Sequence, residues 1–359
     1  MTKSVERITT GVRYTVTLDY EPGPRNTGLI IVGVAGRSRG RVSFERTVLR
    51  DMAHCLPSRR SDPLARARTL VSVLVASVAL PGVLLWARLL TDETGRRVDV
   101  PSHPDRLVSL APSITETLYA LGLGDRLVGD TDYCDYPPEA KQKPHVGAVL
   151  NPSVEKIVAL KPDLVLGTPA ANRRETADQL DRLGIPVYGL AAHSVDDTLR
   201  SIEDLGQVLD RGTEARALVE TLRGRIEAVQ KRVAGLPRPK VLFVVWYRPL
   251  ITAGPHSFVA DVIQRAGGVS ISEDVQGEWP RLALEEVLHR DPDIILFPRS
   301  ESFSPALDEF ERLPGWKELH AVKSHRMYFV SETIIHPSPR LIDALEEVAR
   351  ILHPPEARP

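Results

Sequence analysis

From Arg106 onward, short aliphatic runs alternate with stretches whose apolar positions recur every three or four residues. RLVSLA reads as a buried strand. SITETLYALG reads as a helix that Ser113 and Glu116 open as a capping box and Gly122 closes. RLVGDTD is the next strand, followed by helix 153–160, strand 164–166, helix 173–183 ending at Gly184, and strand IPVYGL. Leu218, Val219, Leu222, Ile226, Val229 and Val233 then form one stripe of a longer helix, with Thr213 as its cap and Gly235 as its stop. After GLPRP the rhythm resumes with strand KVLFVVW from Lys240, helix 258–266 stopped by Gly267-Gly268, helix 283–290, strands 294–297 and 327–330, and helix 339–352. Strand–helix–strand alternation predicts an α/β protein of two lobes, each a parallel sheet flanked by helices. The lobes span 105–210 and 238–355, and one long rigid helix across 211–237 joins them.

One unit occurs twice. NPSVEKIVALKPDLVLG and RLALEEVLHRDPDIILF each place a glutamate, Glu155 or Glu285, at the head of an apolar helical run. A proline (Pro162, Pro292) stops each run, an aspartate (Asp163, Asp293) follows, and an aliphatic strand begins. A carboxylate in a first helical turn is favoured by the helix dipole by about 0.3–1 kcal/mol. That accounts for either glutamate alone and less well for the matched pair.

Composition changes the picture mainly at the N-terminus. The 359 residues suffice for about two domains, and a net charge of −1 provides no basic surface for nucleic acid. The two cysteines, Cys55 and Cys134, flank the most apolar segment, and no Cys/His spacing suggests a resident metal site. That segment, Thr69–Ala87, carries no charge and follows Arg59, Arg60, Arg66 and Arg68. A basic stretch before an apolar run predicts export, so residues 52–91 read as a signal or a membrane anchor. Residues 1–51 then read as a leader of doubtful status, either an extension ahead of a natural start at Met52 or a disordered cytoplasmic leader. They contain Gly36-Arg37-Ser38-Arg39-Gly40, which fits the G-x-S-x-G nucleophile elbow and carries a remote reading as an exported hydrolase. An elbow needs a helix after it, and RVSFERTVL is only ambiguously helical.

RLVSLAPSITETLYALG, DTDYCDYPPEAK, VGAVLNPSVEKIVALKPDLVLG and EWPRLALEEVLHRDPDIILF, in this order over residues 104–353, resemble the substrate-binding proteins of ABC importers. Within these, the resemblance is to the helical-backbone class that captures cobalamin, haem and iron-siderophores. It implies a non-enzymatic, extracytoplasmic, monomeric receptor without a cofactor of its own. Its partners would be an ABC permease with its ATPase and a small metal-chelate ligand, with the membrane reached through the N-terminal segment. The implied ligand is a cobalamin-like corrinoid, with a ferric siderophore or haem as the alternative. Glu155 and Glu285 match the two glutamates that dock onto permease arginines in that class.

Tyr133 and Trp279 match a cleft tyrosine and a cleft tryptophan, and Trp246 and Tyr247 close the first strand of the second lobe. Flat aromatic rings at strand ends suit a planar macrocycle. The pattern departs from the cobalamin receptors at Val149 and Thr168, where tryptophans are expected, and at Glu332 and His336, which replace an acidic residue and arginine pair. His336 is expected to hydrogen-bond an amide arm or to ligate the ligand's metal, and Arg340 to pair with a ligand carboxylate.

Overall fold

The computed structural model describes residues 88–299 and 305–354 in full, together with the backbones of four strands near the N-terminus. The chain divides into two units, Met1–Val83 and Leu84–Pro359. In the first, β1 (Thr2–Thr9), β2 (Val12–Pro22), β3 (Gly28–Ser38) and β4 (Arg41–Leu49) form an antiparallel sheet in that order. These strands fall in the stretch read as a leader of doubtful status. Ser38 pairs with Arg41 across the β3–β4 hairpin, and the element after it is a strand. That corrects the elbow reading, because a nucleophile elbow needs a strand-to-helix turn. The apolar segment 69–87 and Cys55 lie outside the described residues.

The second unit opens with an antiparallel hairpin, β5 (Arg88–Thr91) and β6 (Arg97–Val100). The Asp92 carboxylate accepts from the amides of Thr94 and Arg96 inside the turn and from Gly189 N–H at 3.0 Å. This ties the hairpin to the N-terminal lobe. The lobe continues through β7 (Leu107–Ser109), α1 (Pro112–Ala120), β8 (Leu127–Gly129), α2 (Val154–Ala159), β9 (Leu164–Gly167), α3 (Arg174–Arg182), β10 (Val187–Gly189) and α4 (Val195–Val208). Its sheet runs β10-β9-β7-β8, all parallel. Helices cover both faces, so β7, β9 and β10 are buried throughout, as their continuous aliphatic runs require.

Helix α5 (Gly212–Val233) crosses to the second lobe. That lobe contains β11 (Lys240–Tyr247), β12 (Leu250–Thr252), α6 (Phe258–Arg265), β13 (Val269–Ser270), α7 (Leu284–Arg290), β14 (Ile294–Arg299), α8 (Leu307–Phe310), α9 (His320–Lys323), β15 (Met327–Ser331) and α10 (Leu341–Leu352). Its main sheet is ordered β12-β11-β14-β15, with β13 also on β11; β12 alone is antiparallel.

Helix α5 is a structural wall. Ala215, Val219, Leu222, Ile226, Val229 and Val233 are buried in one apolar core with residues of both lobes. On its outer side Arg225 bonds Glu346 at 2.9 Å and Asp343 at 2.7 Å on α10. Thr213 is not its cap: Arg211 holds that position without a side-chain bond. Helix α4 is absent from the predicted pattern, although Val195, Leu199, Ile202 and Leu205 have helical spacing behind the Ser194 cap. The start of α4 meets α6 of the other lobe: Asp261 accepts from Val195 N–H at 2.8 Å, and Arg265 pairs with Asp196 at 2.8 Å.

Candidate functional site

Open parallel sheets bind ligands outside the carboxyl ends of their strands. In this chain the loops at those ends approach one another across the two lobes. His193, following β10, lies 3.5 Å from Glu278 of the other lobe. Glu116 on α1 accepts from three side chains beyond β15: Ser338 Oγ at 2.5 Å, His336 Nδ1 at 3.2 Å and Arg340 at 3.3 Å. The Arg340 guanidinium also lies over the Tyr136 ring, 3.7 Å from its centroid. These contacts join the strand-end loops of the two lobes.

Glu116 is the principal correction to the predicted pattern. Helix α1 begins at Pro112 with Ala111 at its N-cap and no side-chain cap bond. Ser113 and Glu116 are thus both inside the helix, and the Glu116 side chain, 3% exposed, serves the interface between lobes. A buried carboxylate needs partners to offset its lost hydration. It finds three, all about 220 residues away in the chain.

Of the aromatic candidates, Tyr133 is 60% exposed and Trp246 43% exposed. Both rings are thus partly presented to the surface. The loop carrying Tyr133 is anchored by the buried Cys134 thiol, which accepts from Thr115 Oγ1 at 3.2 Å. Burial pushes that thiol up to about 11, so it remains protonated and unreactive.

Trp246 and Tyr247 part company. A register irregularity between Val244 and Trp246 re-aims the end of β11. Tyr247 then packs with the core of Leu242 and Val244, edge-on to Phe310 at 5.5 Å. The Trp246 indole N–H donates to Arg248 O at 2.8 Å. Trp279 is half-buried, edge-on to Phe258 at 5.9 Å between ring centroids.

Glu332 opens a 3-10 turn, Glu332–Ile335, directly after β15, with Ser331 as its cap. Asn172 was not anticipated. Its amide donates to Leu110 O and Val149 O at 2.9 and 2.8 Å, and its carbonyl accepts from Thr168 N–H at 2.8 Å. It thereby holds together three loops at the carboxyl edge of the first sheet, including both positions where the predicted tryptophans are missing. No motif marks such a role, because its partners are backbone atoms far apart in sequence.

Glu155 and Glu285 are exposed in the first turns of α2 and α7. Among the described residues neither carboxylate has an ion-pair partner, whereas the adjacent Glu286 bonds Arg290 at 2.6 Å. Among the described residues no three His, Cys, Asp or Glu side chains converge as metal ligands, and no helix is long and apolar enough to cross a membrane.

Two α/β lobes bridged by a packed helix, with their strand-end loops in contact, have the architecture of a bilobal binding protein. Residues 107–333 match the family model described as periplasmic binding protein, and the chain belongs to that family. It is 28% identical over 246 residues to a vitamin B12-binding protein of Vibrio parahaemolyticus, covering 68% of this chain and 88% of the relative. Among solved structures it is similar to the periplasmic vitamin B12-binding protein of Vibrio cholerae, with 30% identity and a TM-score of 0.62, over 69% of this chain and 96% of that one. It is likewise similar to a periplasmic haem-binding protein of Pseudomonas aeruginosa, with 26% identity and a TM-score of 0.65, over 71% and 95% of the two chains.

Proposed function

We propose that this chain is the extracytoplasmic receptor of an ABC importer and that it captures a cobalamin-like corrinoid between its lobes. The observation that carries this reading is the aromatic set in the strand-end loops, the exposed Tyr133 of one lobe with the exposed Trp246 and the half-buried Trp279 of the other. Rings of this kind hold a flat macrocycle by stacking and by excluding water. Likeness to vitamin B12-binding proteins in both sequence and structure supports the same ligand class. Glu155 and Glu285, exposed and without ion-pair partners, dock onto cationic residues of the permease. Residues 69–87 export the chain and hold it at the membrane, and the receptor works as a monomer without catalysis or a cofactor of its own.

A haem or ferric-siderophore ligand is the second reading. It is favoured by the likeness to the Pseudomonas aeruginosa haem-binding protein and to a ferric-hydroxamate transport protein of Saccharomonospora viridis. Titrating the full chain with cyanocobalamin, haem and a ferric hydroxamate, followed by tryptophan fluorescence, separates them. Saturable quenching by the corrinoid at the lowest concentration is expected. Tight binding of the hydroxamate alone would overturn the choice of ligand, and an active periplasm-dependent reporter fused after Thr91 would support export.

A further inference from the structure

The Glu116 cluster between the lobes leaves one imidazole nitrogen unbonded among the described residues. Glu116 takes up His336 Nδ1, Ser338 Oγ and an Arg340 nitrogen. A carboxylate accepts hydrogen bonds, and in the neutral imidazole a hydrogen donated from Nδ1 leaves the ring's lone pair on Nε2. Among the described residues Nε2 has no hydrogen-bond partner, and the His336 side chain is 19% exposed.

The Arg340 guanidinium lies on the same carboxylate oxygen, 3.3 Å away. Three bonds to a carboxylate that is itself 3% exposed tie the loop, so the imidazole is held in place. Its place is also specific: His336 follows the last strand of the second sheet, at the carboxyl edge where a ligand sits. Its neighbour Pro337 lines a small cavity with Ser113, Thr117 and Thr168 of the other lobe. One imidazole nitrogen bonded to a carboxylate and the other free is the arrangement that orients a metal-binding histidine.

We propose that Glu116 is a positioning residue and that His336, through Nε2, is the axial donor to the metal of a planar chelate with an exchangeable axial site. The choice of a corrinoid as the principal probe rests on the function proposed above. In the binding step the metal–water bond breaks, the Nε2 lone pair forms a metal–nitrogen bond, and water leaves. No electron is transferred and no proton moves.

The test compares two corrinoids on the full chain: aquacobalamin, whose axial water exchanges, and cyanocobalamin, whose axial cyanide does not. Bound aquacobalamin should take on the absorption bands of aquacobalamin mixed with free imidazole, and cyanocobalamin should keep its own. Aquacobalamin should also bind about tenfold more tightly, a difference of about 1.4 kcal/mol. His336→Ala should abolish the band shift. Glu116→Gln should diminish it and reduce the preference for aquacobalamin. A merely structural role for Glu116 would instead weaken both corrinoids in equal proportion and leave the bound spectrum unaltered. Bound aquacobalamin with the spectrum of the free form, or a shift that survives His336→Ala, would overturn the inference. If neither corrinoid binds but ferric haem does, with a Soret band that moves on His336→Ala, the donor assignment stands and the corrinoid reading fails. If no metal chelate gives a spectrum that depends on His336, the inference is lost whatever binds.

Discussion

Gly254→Ala should disable the receptor without touching its ligand. Gly254 lies between β12 and α6, against the segment that carries Trp279. Its amide donates to Glu278 O at 2.8 Å, and the Thr252 amide donates to Pro280 O at 3.0 Å, so Trp279 is held by its two neighbours. A Cβ on residue 254 would stand 2.0 Å from Gly277 O and 3.0 Å from Pro280 Cδ. The first contact is with backbone and is short by roughly an ångström, so the 277–280 segment must move.

Overpacking of this kind costs about 1–3 kcal/mol, and losing the Gly254–Glu278 bond adds about 0.5–1.5 kcal/mol. The variant should therefore be destabilised by about 2–4 kcal/mol, a fall in Tm of the order of 5–10 °C for a unit of this size. Since the movement displaces Trp279, corrinoid affinity should fall towards that of Trp279→Ala. That substitution should itself cost about 2 kcal/mol, roughly thirtyfold. Thermal denaturation and fluorescence titration of the two single variants and the double variant provide the assay. The losses in affinity should be far from additive, because both act through one side chain. A Gly254→Ala protein with parental Tm and affinity would show that the close approach does not constrain the segment. Fully additive losses would show that Trp279 is not the route.

Further outcomes follow from other parts of the molecule. Glu155→Ala with Glu285→Ala should abolish uptake by whole cells while the purified protein binds its ligand as before; normal uptake would leave both as helix-dipole partners only. Ile226→Ala, in the face of α5 shared by both lobes, should cost about 2–5 kcal/mol and shift a single calorimetric transition; two separated transitions would show that the lobes do not share a core. Burial pushes the Asp130 carboxyl from 3.8 up to about 6, with the His145 imidazole 2.7 Å away opposing it. The folded protein thus binds this proton more tightly than the unfolded chain, and stability falls as pH rises from about 4 to 6. Asp130→Asn should remove about 1–3 kcal/mol of that slope in denaturant titrations across the range, and equal slopes in the two proteins would refute it.

The sequence by itself determined the architecture. Period-two and period-3.6 patterns are local, and both sheets are covered on two faces, so their strands appear as unbroken aliphatic runs bounded by glycine and proline. The repeat headed by Glu155 and Glu285 was legible for the same reason: helix head, proline stop and strand lie within seventeen residues. Tertiary structure alone decided what the polar side chains do. Glu116 satisfies the local rule for a capping box, yet its carboxylate is used about 220 residues away, because a buried charge takes whichever partners the fold brings to it. Tyr247 and Trp246 are neighbours in sequence and point to opposite faces of β11; only the fold shows that Tyr247 meets the Phe310 core while Trp246 stays exposed. Asn172 and Gly254 act on backbone that only the folded chain places beside them. Periodicity encodes which face of an element is apolar; which distant group meets it depends on how the two lobes close over helix α5, and that is set by packing the whole chain at once.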